Sequence, residues 1–292
     1  MVGIAAVGAG GLELVAHGVL PGKQLLDQID GACQVPGPPL VFAATGPSFS
    51  GSFYSAARRR VVGYTLAYPP GHGPGSELPL IVALHAYGDD HRRVLTRMSL
   101  AQAVALRTGD RTLPPMAIVA ADGGSGYWNP HPGDDPLGMV IDELIPRCQA
   151  RGVGRGLGRA SRRIGTLGIS MGGYGAILLA EKYPDQVGAA AAIAPAIWTS
   201  YAQARTVNAS AYASAAAFAA ADAVTHAGAL TGIAVRVASG VDDPFHPGVQ
   251  ALVRALPRGA VVDISRGCHT GSFFAAQEPA SLAFLAEHLT GR

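Results

Sequence analysis

The stretch RIGTLGISMGGYGAILLAEKYP, Arg163 to Pro184, decides how this chain is read. It opens on an apolar run, IGTLGI, which predicts a strand, and continues as GGYGAILLAEKY, which predicts a helix. Between them sits Ser170, with Gly168 two residues before it and Gly172 two residues after. Small residues at those two positions let a chain turn sharply from strand to helix. Such a turn pushes the serine hydroxyl out of the sheet and aims it at the helix N-terminus. The backbone N–H of Met171 is then left to receive negative charge developing on an oxygen. The chain holds 39 glycines, so the pattern GISMG alone would arise easily by chance. Its weight comes from the strand before it and the helix after it.

Working outward, the same alternation continues in both directions. SFSGSFYSA and RRRVVGYTLAYPPG read as an antiparallel edge pair, and LPLIVALH as a strand buried on both faces. A helix is expected near Arg93 to Arg107, then the strand MAIVAAD, the long loop DGGSGYWNPHPGDDP and the amphipathic helix MVIDELIPRCQA. After the serine come the strand QVGAAAAIAP, an Ala-rich helical insertion over about 197–230, and the strand IAVRVASG. The helix PGVQALVRAL, the strand AVVDIS and the helix EPASLAFLAEHL close the chain. This order predicts an α/β fold: a mostly parallel central sheet of about eight strands with helices on both faces. Sites in such sheets lie at the carboxyl ends of the strands.

Composition narrows the function. At 292 residues with 49% hydrophobic residues the chain can bury a large core, and only 14% are charged, for a net charge of +2. No basic stripe exists, so nucleic acid is not an expected partner. The basic, glycine-rich RGVGRGLGRASRR (Arg151 to Arg163) reads as a solvated loop. Cys33, Cys148 and Cys268 form no CxxC pair or zinc pattern, and spacing does not show which of them would pair. Residues 1–30 form an apolar segment, interrupted by Glu13 and His17 and lacking a basic start. It is a poor spanning helix; export signal or anchor remnant is the favoured reading, and a helix packed on a cytoplasmic domain the alternative. Residues 31–47 are a Pro/Gly-rich linker, and 48–292 the catalytic domain.

A serine hydroxyl needs a base. Of nine histidines, His269 stands just after AVVDIS and before the last helix, at the sheet edge expected to hold Ser170. His85 comes before the serine, where an oxyanion loop belongs; His246 and His288 fall on helices. An acid must fix the imidazole tautomer, and Asp242 and Asp243 both follow IAVRVASG. The loop HAYGDD offers the second oxyanion donor, the backbone N–H of Tyr87 or, alternatively, Ala86. Tyr127, Trp128 and His131, in the long loop, and Trp198, after another strand end, are candidate pocket residues; loop or core packing is the competing reading. Asp134 and Asp135 read as helix capping rather than as metal ligands.

These residues carry a resemblance. RRRVVGYTLAYPPGHG, LPLIVALHAYG, RIGTLGISMGGYGAILLAEKYP, SGVDDPF and GCHTGSFF span about residues 45 to 290. Together they resemble the esterase D group of the α/β-hydrolase superfamily, in the form of actinobacterial esterases related to S-formylglutathione hydrolases, feruloyl-esterase-like enzymes and mycolyltransferases. The acid there usually follows a glycine and two further residues, which selects Asp243 after Gly240. The order Ser170, Asp243, His269 is that of the superfamily. The resemblance implies a serine acyl-enzyme mechanism with no cofactor and no metal. It departs from the group's common HGxG at Ala86, which replaces the first glycine. The expected substrates are small-molecule or lipid esters with uncharged, short to medium acyl groups, rather than phosphorylated or highly anionic ones. Acyl transfer is the alternative activity, and a non-catalytic binding protein the remoter one. The oligomeric state is not legible.

Overall fold

The computed structural model describes Cys33, Val35 and residues 46–98, 113–154 and 164–290. The N-terminal segment, most of the linker, the second half of the helix expected near Arg93 to Arg107 and most of the basic glycine-rich loop lie outside the described residues. Eight strands form one sheet: β1 (Ser48–Ser55), β2 (Arg60–Ala67), β3 (Leu80–Leu84), β4 (Ala117–Ala121), β5 (Ile164–Ile169), β6 (Val187–Ile193), β7 (Ala234–Gly240) and β8 (Val261–Ser265). Their order across the sheet is β1-β2-β4-β3-β5-β6-β7-β8. Only β2 runs against the rest, pairing antiparallel with β1 and β4. The sheet is open, and it is that of an α/β-hydrolase.

The helices follow in chain order. Residues 91–98 are helical (α1). Helix α2 begins as Pro136–Gly138, passes through a π-helical turn at Met139–Leu144 and ends as Ile145–Gln149. Helix α3 is Met171–Lys182, the helix expected after Ser170. The insertion is broken into α4 (Tyr201–Val207), α5 (Ala215–Ala220), α6 (Ala223–His226) and a 3-10 turn at Ala227–Leu230. Its breaks follow from capping: Ser200, Ser214 and Asp222 each accept a backbone N–H and start a new helix. Helices α7 (His246–Ala255) and α8 (Gly271–Thr290) complete the fold. No described helix is long and apolar enough to cross a membrane.

The period of two along the strands divides the core. Leu80, Val82 and Leu84 of β3 face the layer holding α2 and α3, while Ile81 and Ala83 face α1 and α8. Both faces are covered, which is why the central strands read as continuous apolar runs. In β6 the run Ala189–Ala192 is fully buried, its small side chains admitting a helix on each side.

Cys33 and Cys268 form a disulfide across 235 residues of sequence, and Cys148 remains a free, buried thiol whose pKa burial pushes up to about 12. The bridge ties the chain before the sheet to the residue next to His269. Closing so long a loop restricts the unfolded chain, so reduction should cost about 2–4 kcal/mol of stability. Thermal unfolding with and without a phosphine reductant checks this. The Cys33→Ser variant should lose the same amount and respond no further to the reductant.

One buried acid bears on stability. Glu181, near the end of α3, is buried with neither carboxylate oxygen hydrogen-bonded. Burial, reinforced by the neighbouring Asp222, pushes its pKa from 4.5 to about 9. The folded protein therefore favours the protonated acid. The cost is nil below pH 4.5, grows as pH rises from 4.5 toward 9, and is constant above. Glu181→Gln should thus be more stable than the parent at pH 8, by roughly 5 kcal/mol at most, with the gap closing near pH 4.5. Urea unfolding across that range reads it directly.

Candidate active site

Ser170 sits at the junction of β5 and α3 with φ 57° and ψ −119°, in the left-handed half of backbone space where a side chain is normally strained. Three backbone hydrogen bonds hold it there. Its N–H donates to Ile193 O at 2.9 Å, and its C=O accepts from Tyr174 N and Ala196 N, each at 3.0 Å. The two glycines are sterically required. A Cβ on Gly168 would lie 2.0 Å from Gly172 O, and one on Gly172 would lie 1.9 Å from Leu84 O. The turn is thus packed against the end of β3, which leads into the HAYGDD loop.

The side chains from three strand ends meet. His269 Nε2 lies 2.8 Å from Ser170 Oγ, and His269 Nδ1 lies 2.7 Å from Asp243 Oδ2. The Asp243 side chain has no solvent exposure, and its Oδ1 accepts the Phe245 N–H at 2.8 Å. Between the two aspartates expected after β7, His269 is bonded to Asp243. The backbone N–H of Asp242 instead donates to Gly267 O at 3.0 Å, binding the acid turn to the histidine loop. The N–H groups of Met171 and Tyr87 donate to no backbone carbonyl among the described residues.

The loop opposite Ser170 is braced by His85. Its Nε2 accepts the Gly123 N–H at 2.9 Å, so its Nδ1 carries the proton and donates to Ala86 O at 2.8 Å. Burial lowers the His85 pKa, which keeps the ring neutral and both bonds intact. The position of Ala86 in place of a glycine carries no positive φ; the left-handed residue of this loop is Gly88, at φ 73°.

The aromatic candidates separate. Trp128 is 1% exposed, lies beneath Gly123 and Gly175, and donates its indole N–H to His85 O at 3.1 Å. It supports the loop from behind, the packing role weighed beside a pocket role for this residue. Trp198 packs edge-on against Phe245 at 4.8 Å between ring centroids, and Phe245 lies 5.2 Å from the His269 ring. Tyr127 lies 5.8 Å from Trp198, and burial pushes its pKa up to about 12, so its phenol stays protonated. An unbroken aromatic wall therefore leads from His269 to Tyr127. His131 is a loop brace bonded to Gly126 O. Asp135 caps α2 through Leu137 N and Gly138 N, and Asp134 pairs with Arg58 and Arg60. No group of three or more metal-binding side chains occurs among the described residues.

Phe245 and Phe274 were not anticipated. Phe274 packs edge-on against His269 at 5.0 Å, on α8. Both stand within five residues of a site residue, in VDDPF and GCHTGSFF, and that proximity was the available signal.

A family profile described as "Putative esterase" matches residues 55–256, over two thirds of the chain. The chain belongs to this esterase family. It is a carboxylesterase-type hydrolase. Among solved structures it is similar to a ferulic acid esterase at 16% identity, covering 84% of this chain and 100% of that one, with a TM-score of 0.70. It is also similar to the fluorophosphonate-binding serine hydrolase FphF of Staphylococcus aureus (12% identity, 83% and 99% covered, TM-score 0.64). A third is an S-formylglutathione hydrolase of Agrobacterium tumefaciens (18% identity, 85% and 98% covered, TM-score 0.63). No match is found among curated proteins. At these identities the structural likeness speaks for the fold, and the family match for the esterase class.

Proposed function

We propose that this esterase acts through a Ser170–His269–Asp243 triad and an acyl-enzyme. The observation that carries the reading is the hydrogen-bonded chain from Ser170 Oγ through His269 to the buried Asp243. His269 Nε2 takes the hydroxyl proton as Ser170 Oγ attacks the ester carbonyl. The Met171 and Tyr87 N–H groups receive the oxyanion. His269 then gives the proton to the departing alcohol, and the acyl group remains on Ser170. Water, deprotonated by the same imidazole, attacks the acyl-enzyme and releases the acid. Asp243 holds His269 Nδ1–H throughout and stabilises the imidazolium.

Phe245, Trp198 and Tyr127 make an uncharged aromatic row beside His269, which favours an uncharged short to medium acyl group. Initial rates with p-nitrophenyl esters of increasing acyl length test this; a preference for an anionic acyl chain would overturn it. Acyl transfer uses the same triad, so product analysis with an added acceptor alcohol separates the two activities. Mostly transfer product would make the protein an acyltransferase. The Cys33–Cys268 bridge favours an exported or envelope-associated enzyme, since disulfides persist in oxidising compartments. Fractionation of expressing bacteria checks that placement, and a wholly cytoplasmic enzyme would refute it.

A further inference from the structure

An open groove of about 550 Å³ lies along the HAYGDD loop. Its floor is the loop from Ala86 to Asp89, which carries the Tyr87 N–H, and its wall is α1, with Arg92, Arg93 and Arg97 along it. Arg93 and Arg97 are one helical turn apart, on one face of α1. No carboxylate among the described residues lies within ion-pair distance of the Arg92 or Arg93 guanidinium, although Arg93 is near enough to help lower the Asp90 pKa and Asp89 also lines the groove. The carboxylate of Asp90, the nearest acid in sequence, caps α1 through the backbone N–H groups of Arg92 and Arg93.

Arg97 is held in place. Its Nη2 donates at 2.7 Å to Glu278 Oε1, on α8, and Glu278 is itself only 4% exposed. The Arg97 guanidinium lies 6.0 Å from the Phe274 ring, the same ring that packs on His269. One aromatic ring thus separates Arg97 from the imidazole. A guanidinium keeps further N–H donors after one carboxylate contact, and its planar fork suits a carboxylate or phosphate.

The side of the site matters. His269 must deliver its proton to the departing oxygen, so the alcohol half of the ester lies on the imidazole side. Phe274 packs on that imidazole, and Arg97, which lines the groove, is linked to it through the Phe274 ring. We propose that the α1 groove binds an anionic group, a carboxylate or phosphate, carried by the alcohol half of the ester a few bonds beyond the scissile oxygen. This rests on the triad reading above and departs from the expectation of a wholly uncharged ester: the acyl half is neutral and the leaving half is not.

The test uses two near-matched esters, 4-acetoxybenzoate and 4-acetoxybenzamide, which share the acetyl group and differ in leaving-group charge. The expected result is a kcat/KM ratio favouring the anionic ester by about tenfold at low salt, decaying as salt is added. In Arg92→Gln/Arg93→Gln, which leaves the Arg97–Glu278 pair intact, the ratio should collapse toward one. An equal ratio in parent and variant overturns the proposal. Binding of the product 4-hydroxybenzoate, followed by calorimetry in the parent and in the variant, reads the groove even if neither ester is turned over. Loss of affinity in the variant supports the groove while the triad reading fails; unchanged affinity sinks the groove alone. Co-sedimentation with phosphatidylglycerol vesicles separates a soluble anion from a lipid headgroup. Arginine-dependent vesicle binding with no preference between the two soluble esters would overturn a soluble substrate and assign the anion to a membrane lipid.

Discussion

Ser170→Ala is expected to lower kcat by at least about 10⁴-fold on any ester the protein hydrolyses, while leaving the fold intact. The hydroxyl is the atom that bonds to the acyl group, so its removal deletes the covalent route. What remains is the residual catalysis of the oxyanion donors and binding. The fold should tolerate the change because Ser170 is held by backbone hydrogen bonds to Ile193, Tyr174 and Ala196, and its side chain does not cap α3. Alanine keeps those backbone bonds but must adopt the same positive φ, as serine does, so no new strain is introduced. A fluorophosphonate should label the parent on Ser170 and leave the variant unlabelled, as read by intact mass. Labelling that persists at another residue would refute the assignment of the nucleophile. Absence of labelling in the folded parent would refute the triad reading as a whole.

Much of the architecture is legible because α/β sheets write two strong signals into sequence. Strands buried on both faces become continuous apolar runs, as in LIVAL and AIVAA, and turns at strand ends collect glycine. Ser170, Asp243 and His269 are readable for the same reason: they stand one, three and four residues beyond the ends of β5, β7 and β8, so sequence position places them at one sheet edge. Side chains that depend on tertiary direction are less legible. Tyr127 and Trp128 are adjacent and both have positive φ, yet one faces Trp198 and the other turns under Gly123 and Gly175. Neighbouring positions in a loop carry no period that would say which points to the site. The Cys33–Cys268 pairing likewise depends on where an irregular segment returns, and the Arg97–Glu278 contact joins two helices from opposite ends of the chain. The insertion is legible as helical from its alanine content. Its division into short pieces follows from Ser200, Ser214 and Asp222 acting as caps, a local signal masked by the surrounding alanine.

Asp243→Asn is expected to lower kcat by about 10³–10⁴-fold at pH 7 with little change in KM, because ground-state binding does not use the carboxylate. The geometry says why an isosteric change is so costly. Asp243 Oδ1 is committed to the Phe245 N–H, so the asparagine carbonyl oxygen must keep that position and its amide nitrogen must face His269. An amide N–H opposite Nδ1 requires Nδ1 to accept, which moves the imidazole proton to Nε2. Nε2 then presents a proton to Ser170 Oγ where a lone pair is needed, and the base is lost. A mere loss of packing would instead lower stability and leave the activity of the folded fraction intact. Unfolding measured alongside kcat distinguishes these, because the expected variant stays folded and inactive. Asp242→Asn is the control: the backbone bond from Asp242 to Gly267 survives the substitution, and kcat should fall by no more than a few-fold. If the large loss appeared in the Asp242 variant and not in the Asp243 variant, the acid would be Asp242. The hydrogen bond to His269 Nδ1 would then have to be remade from one residue earlier in the turn.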